Sequence, residues 1–189
     1  MRSLLVYPAL LLTWSAVAVT HLSGVWLYSR IGPLNWLVTG LAWLVALAVT
    51  ALMVMAFGLH RRYRHAALSV SLSVLAMVGI AAVDWTSAFV HGYYHWHRDD
   101  FRALVEHAEA GRPLPENLRS LALQGDPIVH YGSSSIMLPA LTGLVDGATG
   151  YMHMTVTRTG AFTDCLGDRC LVRWYLGDGW FWLDGGTRR

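Results

Sequence analysis

His91, His95 and His97 stand within seven residues of one another, in the stretch HGYYHWHRDD that runs from 91 to 100. Imidazoles four residues apart on a helix share a face and can hold one metal ion or relay a proton near neutral pH. Asp84 lies seven residues before His91. At 100° per residue Asp84, His91 and His95 fall within about 40° of one another, and His97 turns away. One helix carrying all three would present a carboxylate and two imidazoles to a divalent metal or a proton. The plainer reading is a buried hydrogen bond at Asp84 with interfacial histidines among aromatics, an arrangement that arises often by accident.

Asp84 is the less expected residue, because it sits inside an apolar run where an ionisable group is costly and needs a partner or water. His21, in another apolar run, lies at a matching depth and is the expected partner. A second constellation, GDPIVHYGSSS, places Asp126, His130 and Ser133 to Ser135 close in sequence. Acid, base and nucleophile types are all present, yet triads assemble in space and there is no G-x-S-x-G elbow. A membrane-tethered hydrolase using His130 and Ser133–Ser135 is therefore only an alternative. Trp180 and Trp182 are expected to pack over a sheet rather than to stack on a sugar.

Cys165 and Cys170 are the only two cysteines, in CLGDRC. If Gly167 and Asp168 form a two-residue hairpin turn, Cys165 faces Cys170 as a non-hydrogen-bonded pair with Cα atoms ~4.5 Å apart. That is within reach of a disulfide. Zinc needs about four ligands, and no second cysteine pair exists. A disulfide implies an oxidising compartment.

The elements that must position these residues follow from composition. Of 189 residues, 54% are hydrophobic and 14% charged, with a mean hydropathy of +0.40. Up to Val90 the charged residues are Arg2, Arg30, Arg61, Arg62, Arg64 and Asp84 alone. From His91 onward nine arginines face eleven acidic residues, a net charge of −2. No basic run falls in that half, which argues against nucleic acid. Three apolar runs, 4–27, 34–59 and 66–90, are each long enough to cross a bilayer, which takes ~20 residues. The first is longer than a signal-peptide core of about 7–15 residues and is read as retained. Connectors of six residues, YSRIGP and HRRYRH, imply antiparallel neighbours. HRRYRH is the densest basic loop and belongs in the cytoplasm under the positive-inside rule. The N-terminus is then cytoplasmic and everything after Val90 extracytoplasmic. Trp26, Tyr28, Trp36, Tyr93, Tyr94 and Trp96 would form an outer aromatic belt.

Beyond Val90, DDFRALVEHAEAG reads as a helix capped by Asp99 or Asp100 and stopped by Gly111, and RPLPENLRSLALQG as a second. Residues 126–150 are ambiguous between a strand with a loop and a further helix. From 151 to 184, alternation and the turn pairs TG, GD and DG predict a four-stranded antiparallel meander. Val172, Trp174 and Leu176 should share one face of it. The expected fold is thus three transmembrane helices (1–90) followed by a small extracytoplasmic α+β domain (91–189), with helices over about 99–124. The expected role is a multi-pass cell-membrane protein of bacterial inner-membrane type, presenting a binding or accessory domain rather than an enzyme. Its partners are the lipid bilayer and another membrane or extracytoplasmic protein. Metal or proton handling through Asp84, His91 and His95 is the main alternative.

Overall fold

The computed structural model describes residues 6–129, 135–142, 148–155, 159–165 and 168–185. The chain forms two compact units, Met1–Leu27 with Ile31–Ala88 and Tyr28–Arg30 with Phe89–Arg189.

The first unit is helical. Helix α1 (Val6–Leu22) is followed by α2 (Gly24–Ile31), a 3-10 turn at Gly32–Leu34, α3 (Asn35–Leu59) and α4 (Tyr63–Ala82). Two stretches, Gly24–Leu59 and Tyr63–Ala82, are long and apolar enough to cross a membrane, and α1 is a shorter apolar helix of 17 residues. The expected first connector is itself helical, because YSRI continues α2 and the break falls at Gly32 and Pro33. The third run also departs from expectation. It ends at Ala82, where Val83 turns extended (ψ 130°), and a new helix, α5 (Trp85–Trp96), begins two residues later.

Helices α1, α3 and α4 pack through Leu10, Trp14, Val17, Ala46, Met53, Phe57 and Ile80. Polar and aromatic side chains on the bundle axis form three layers. Tyr7 and His65 Nδ1 share a hydrogen bond of 2.8 Å, with the Phe57 ring 5.4 Å from that of His65. Trp14 Nε1 donates to Ser73 Oγ at 3.2 Å, and Ser73 in turn shares a hydrogen bond with Thr50. Trp43 Nε1 donates to His21 Nε2 at 3.0 Å, and the His21 ring stacks on Trp85. Tyr7, Trp14 and His21 on α1, like Trp43, Thr50 and Phe57 on α3, recur every seven residues. At 1.5 Å per residue the layers are roughly 10 Å apart. The outward faces are apolar, with Leu12, Leu37 and Leu75 about 70% exposed (70%, 69% and 68%).

Helix α3 ends in a paired cap: the Arg62 N–H reaches the Phe57 carbonyl at 2.8 Å and the Arg61 N–H the Gly58 carbonyl at 2.9 Å. This geometry calls for glycine at the left-handed residue, yet Arg61 occupies it with φ 54°. That conformation costs an L residue about 1–2 kcal/mol.

The second unit contains α6 (Arg98–Glu109), α7 (Glu116–Arg119) and six strands: β1 (Ile128–Val129), β2 (Ile136–Thr142), β3 (Ala148–His153), β4 (Phe162–Cys165), β5 (Asp168–Gly177) and β6 (Trp180–Gly185). Helix α6 forms as expected, with Phe101, Leu104 and Ala108 buried, but His97 rather than an aspartate holds the N-cap position. The expected second helix shrinks to the single turn of α7, whose Leu118 is buried, followed by a turn that buries Leu121 and Ala122.

All strand pairs are antiparallel, in the order β1-β2-β3-β6-β5-β4. The described residues of the ambiguous stretch are therefore mostly strand; four strands cover the expected meander, but β3 pairs with β6 rather than with β4, in a sheet of six. β6 inserts between β3 and β5 and is buried on both faces. One face carries Tyr151, Trp180 and Trp182 against Phe101 of α6, with Phe101 ring centroids 5.2 Å from Tyr151 and 4.8 Å from Trp180. The other face carries Met137, Val172, Phe181, Leu183 and both cysteines. Val172 and Trp174 do not share a face. They pair with the successive residues Leu183 and Trp182, so Arg173 is an extra residue, and such a bulge reverses the alternation.

Gly150 lies hard against β2: a Cβ there would strike the Leu138 carbonyl. Gly150→Ala should therefore cost about 1–3 kcal/mol by overpacking. Chemical denaturation followed by tryptophan fluorescence checks this, and an unchanged midpoint would contradict the close approach.

Candidate functional site

The break after α4 decides what Asp84 does. Its Oδ1 accepts the Ser87 N–H at 3.1 Å, and its carbonyl accepts the Ala88 N–H at 3.0 Å. Asp84 is thus the N-cap of α5, where a carboxylate satisfies an otherwise free donor and faces the positive end of the helix dipole. Trp85 closes the other side of the break by donating its Nε1 to the Ile80 carbonyl at 2.7 Å. Asp84 is exposed, and the structure places His21 in the layer with Trp43 and Trp85 instead. Among the described residues no hydrogen bond or ion pair joins His21 to Asp84. Because Nε2 of His21 accepts from Trp43, the ring proton of neutral His21 belongs on Nδ1.

His91 and His95 both lie on α5. The His91 ring is 6.1 Å from Trp174, and exposed His95 has its ring 5.6 Å from Tyr94. His97 instead turns to Asp100, 3.2 Å away. Among the described residues no group of three His, Cys, Asp or Glu side chains is arranged to hold a metal ion. Of the hydrolase constellation, His130, Ser133 and Ser134 lie outside the described residues, Ser135 directly precedes β2, and Asp126 is exposed. Trp180 and Trp182 are each 1% exposed, which commits them to packing.

Asp126 lines a cleft of mixed chemical character and about 290 Å³, bounded by Leu114, Arg119, Asp126, Pro127 and Val129. Its walls are built locally. Leu114 is buried, and its carbonyl accepts the Arg119 Nε–H at 3.1 Å, so α7 holds the guanidinium at the rim. Gly125, at φ 73°, then turns the chain toward β1, and the Gln124 N–H anchors the turn to the Pro139 carbonyl at 3.0 Å. The result sets one cation and one carboxylate beside Leu114, Pro127 and Val129 in a mainly polar cleft, at the small end of the ~300–1,000 Å³ usual for ligand sites. Such a lining suits a small zwitterion or a peptide segment. Sequence reasoning missed Arg119, since nothing in ENLRS distinguishes a rim arginine from a solvated one.

A polar cluster fixes the β5–β6 hairpin. Asp178 (φ 50°) and Gly179 (φ 78°) occupy a two-residue turn with both residues left-handed, the form that Asp-Gly favours. Asp178 takes two hydrogen bonds from Arg98, at 2.9 and 3.2 Å, and one from the Tyr94 hydroxyl at 3.3 Å. The Arg98 hydrogen bond, helped by the charges of Arg98 and Arg102, holds the Asp178 carboxyl below the usual range against an opposing desolvation. Burial pushes the Tyr94 hydroxyl up, and the neighbouring Asp178 charge adds to it. Burial does the same more strongly to Tyr151, whose hydroxyl donates to the Val90 carbonyl at 3.2 Å.

The cysteines are brought together by a register that differs from expectation. Cys165 pairs with Asp168 and Thr163 with Cys170, a shift of two residues. Side chains alternate with period two, so the shift leaves both cysteines on the same face. They stand as diagonal neighbours at disulfide distance, Cα to Cα 5.8 Å, and are buried at 1% and 0% exposure. The chain matches no protein-family model, and no curated protein or solved structure is similar to it.

Two outcomes follow. Asp178 has a lowered folded pKa, so its contribution to stability is complete above the unfolded value near 3.9 and fades as pH falls through the folded one. The protection of the Gly177–Gly179 amides, measured as exchange relative to the intrinsic rate at each pH, should therefore fall in acid below about pH 4, and Asp178→Asn should remove that acid dependence. Replacing both cysteines by serine should lower stability by ~2 kcal/mol, the chain entropy of so short a loop. Denaturation with and without reductant measures this, and equal curves for the unreduced and reduced native chain would contradict it.

Proposed function

We propose that the chain is an integral membrane protein that crosses the bilayer three times and presents its β unit outside the cytoplasm as a binding or accessory domain. The observation that carries this reading is the inversion of the helical unit. Its outward faces are leucine and valine, while inside Tyr7 meets His65, Trp14 and Thr50 meet Ser73, and His21 meets Trp43. A soluble bundle would expose the second set and bury the first, whereas hydrocarbon solvates the first and requires partners for the second. Helix α1, with 17 residues, sits at the short end of the range that spans. Arg61, Arg62 and Arg64 between α3 and α4 favour a cytoplasmic position for that loop. The cysteine pair at disulfide distance supports an oxidising compartment for the β unit. Within that unit the cleft at Arg119 and Asp126 is the place for a ligand or a partner segment.

A fluorescent reporter that matures only in the cytoplasm, fused after Arg189, should stay dark, and the chain should stay in membranes through an alkaline carbonate wash. A bright fusion would reverse the orientation. Release of the chain by carbonate would overturn the membrane reading itself.

A further inference from the structure

Along α3, exposed Leu52 and Ala56, half-buried Val49 and the buried edge of Met53 and Phe57 line a groove of about 300 Å³ whose walls are apolar. These positions recur at three and four residues, so the groove runs along the helix for roughly 12 Å at 1.5 Å per residue. It ends four residues short of Arg61. There Arg61, Arg62 and Arg64 are exposed, and among the described residues none of them forms an ion pair. Arg61 in particular holds its left-handed conformation in a cap where glycine would fit without strain. Exposed Tyr63 opens α4 beside it, the kind of residue that settles at a bilayer surface.

We propose that this groove and the arginine loop together form a site for an anionic phospholipid. One acyl chain lies along Val49–Phe57 on α3, and the phosphate is met by Arg61, Arg62 and Arg64. Charge complementarity selects this occupant. A neutral lipid would leave three cations unmatched beside the groove, and a helix from a second copy would meet them only with an acidic residue at the corresponding depth. In this chain that is ruled out for the spans themselves, since Asp84 is the only acidic residue before His91 and lies at the far end of α4. Basic residues at a cytoplasmic membrane face attract anionic headgroups in this manner. The inference rests on the membrane reading above, and the test separates the two.

The full chain is first shown to resist carbonate extraction, then placed in nanodiscs holding equal phosphatidylglycerol and phosphatidylcholine and read by native mass spectrometry. Phosphatidylglycerol should be retained in preference to phosphatidylcholine. Arg61→Gly and Arg64→Gln should each lower its occupancy about fivefold, and Ala56→Phe, which fills the groove from an exposed position, should lower it without changing any charge. Arg61→Gly relieves the strained conformation, so its loss of lipid cannot be laid to unfolding. Equal retention of the two lipids by membrane-integrated protein would overturn the site and leave the membrane reading standing. So would unchanged phosphatidylglycerol in the Arg61→Gly/Arg64→Gln double variant. A dimer that Ala56→Phe splits, with no preference between lipids, would assign the groove to a second copy instead. Release by carbonate would overturn both readings.

Discussion

The helical unit depends on matching polar side chains across helices at a fixed interval. Leucine on the outward faces does nothing to align one apolar helix with another, because every rotation and slide buries similar surface. The layers remove that degeneracy. Tyr7 can meet His65, Trp14 can meet Ser73 and His21 can meet Trp43 together in only one register of α1 against α3 and α4. A slide by one residue would break all three, and would leave the buried Trp14 Nε1 donor without its partner. Heptad spacing on both α1 and α3 lets straight helices bring successive layers to the same side. These hydrogen bonds are individually modest in apolar surroundings, so their effect is on uniqueness of packing more than on total stability.

The β unit solves the same problem with aromatic rings. Phe101 projects from α6 into a box of Tyr94, Tyr151 and Trp180 in edge-to-face contact, and Tyr93 completes it from α5. The polar tips of the tyrosines are all used: Tyr93 on the Leu121 carbonyl, Tyr94 on Asp178 and Tyr151 on the Val90 carbonyl. Each bond ties a different piece of chain to the box. The loop after α7, the β5–β6 turn and the start of the helix pair are therefore held by rings whose bodies form the core.

Some readings survived for reasons that are themselves physical. The cysteines met although the turn was misplaced, because a two-residue slip in a hairpin preserves sidedness, and only an odd slip would have separated them. The aromatic burial at Trp180 and Trp182 followed from the same alternation. Asp84 shows the opposite case. Its spacing to His91 and His95 had meaning only if one helix ran through all three, and the extended Val83 ended that helix first. Aspartate before three residues that start a helix is an N-cap signal, which was legible but weighed less than the apolar run around it.

The sequence alone determined which segments are apolar, where helices give way to strands, where the chain must turn and that two cysteines would share a face. These are local properties, set by periodicity, by charge and by the backbone preferences of Gly, Pro and Asp. Tertiary structure decided the rest: that β6 lies between β3 and β5, that residues 136–142 pair rather than coil, that His21 meets Trp43, and that Arg119 and Asp126 share a cleft. Each of these joins residues distant in the chain, and their stability comes from burying whole faces against one another. Local pattern says that a strand has a face to bury; only packing chooses which neighbour covers it.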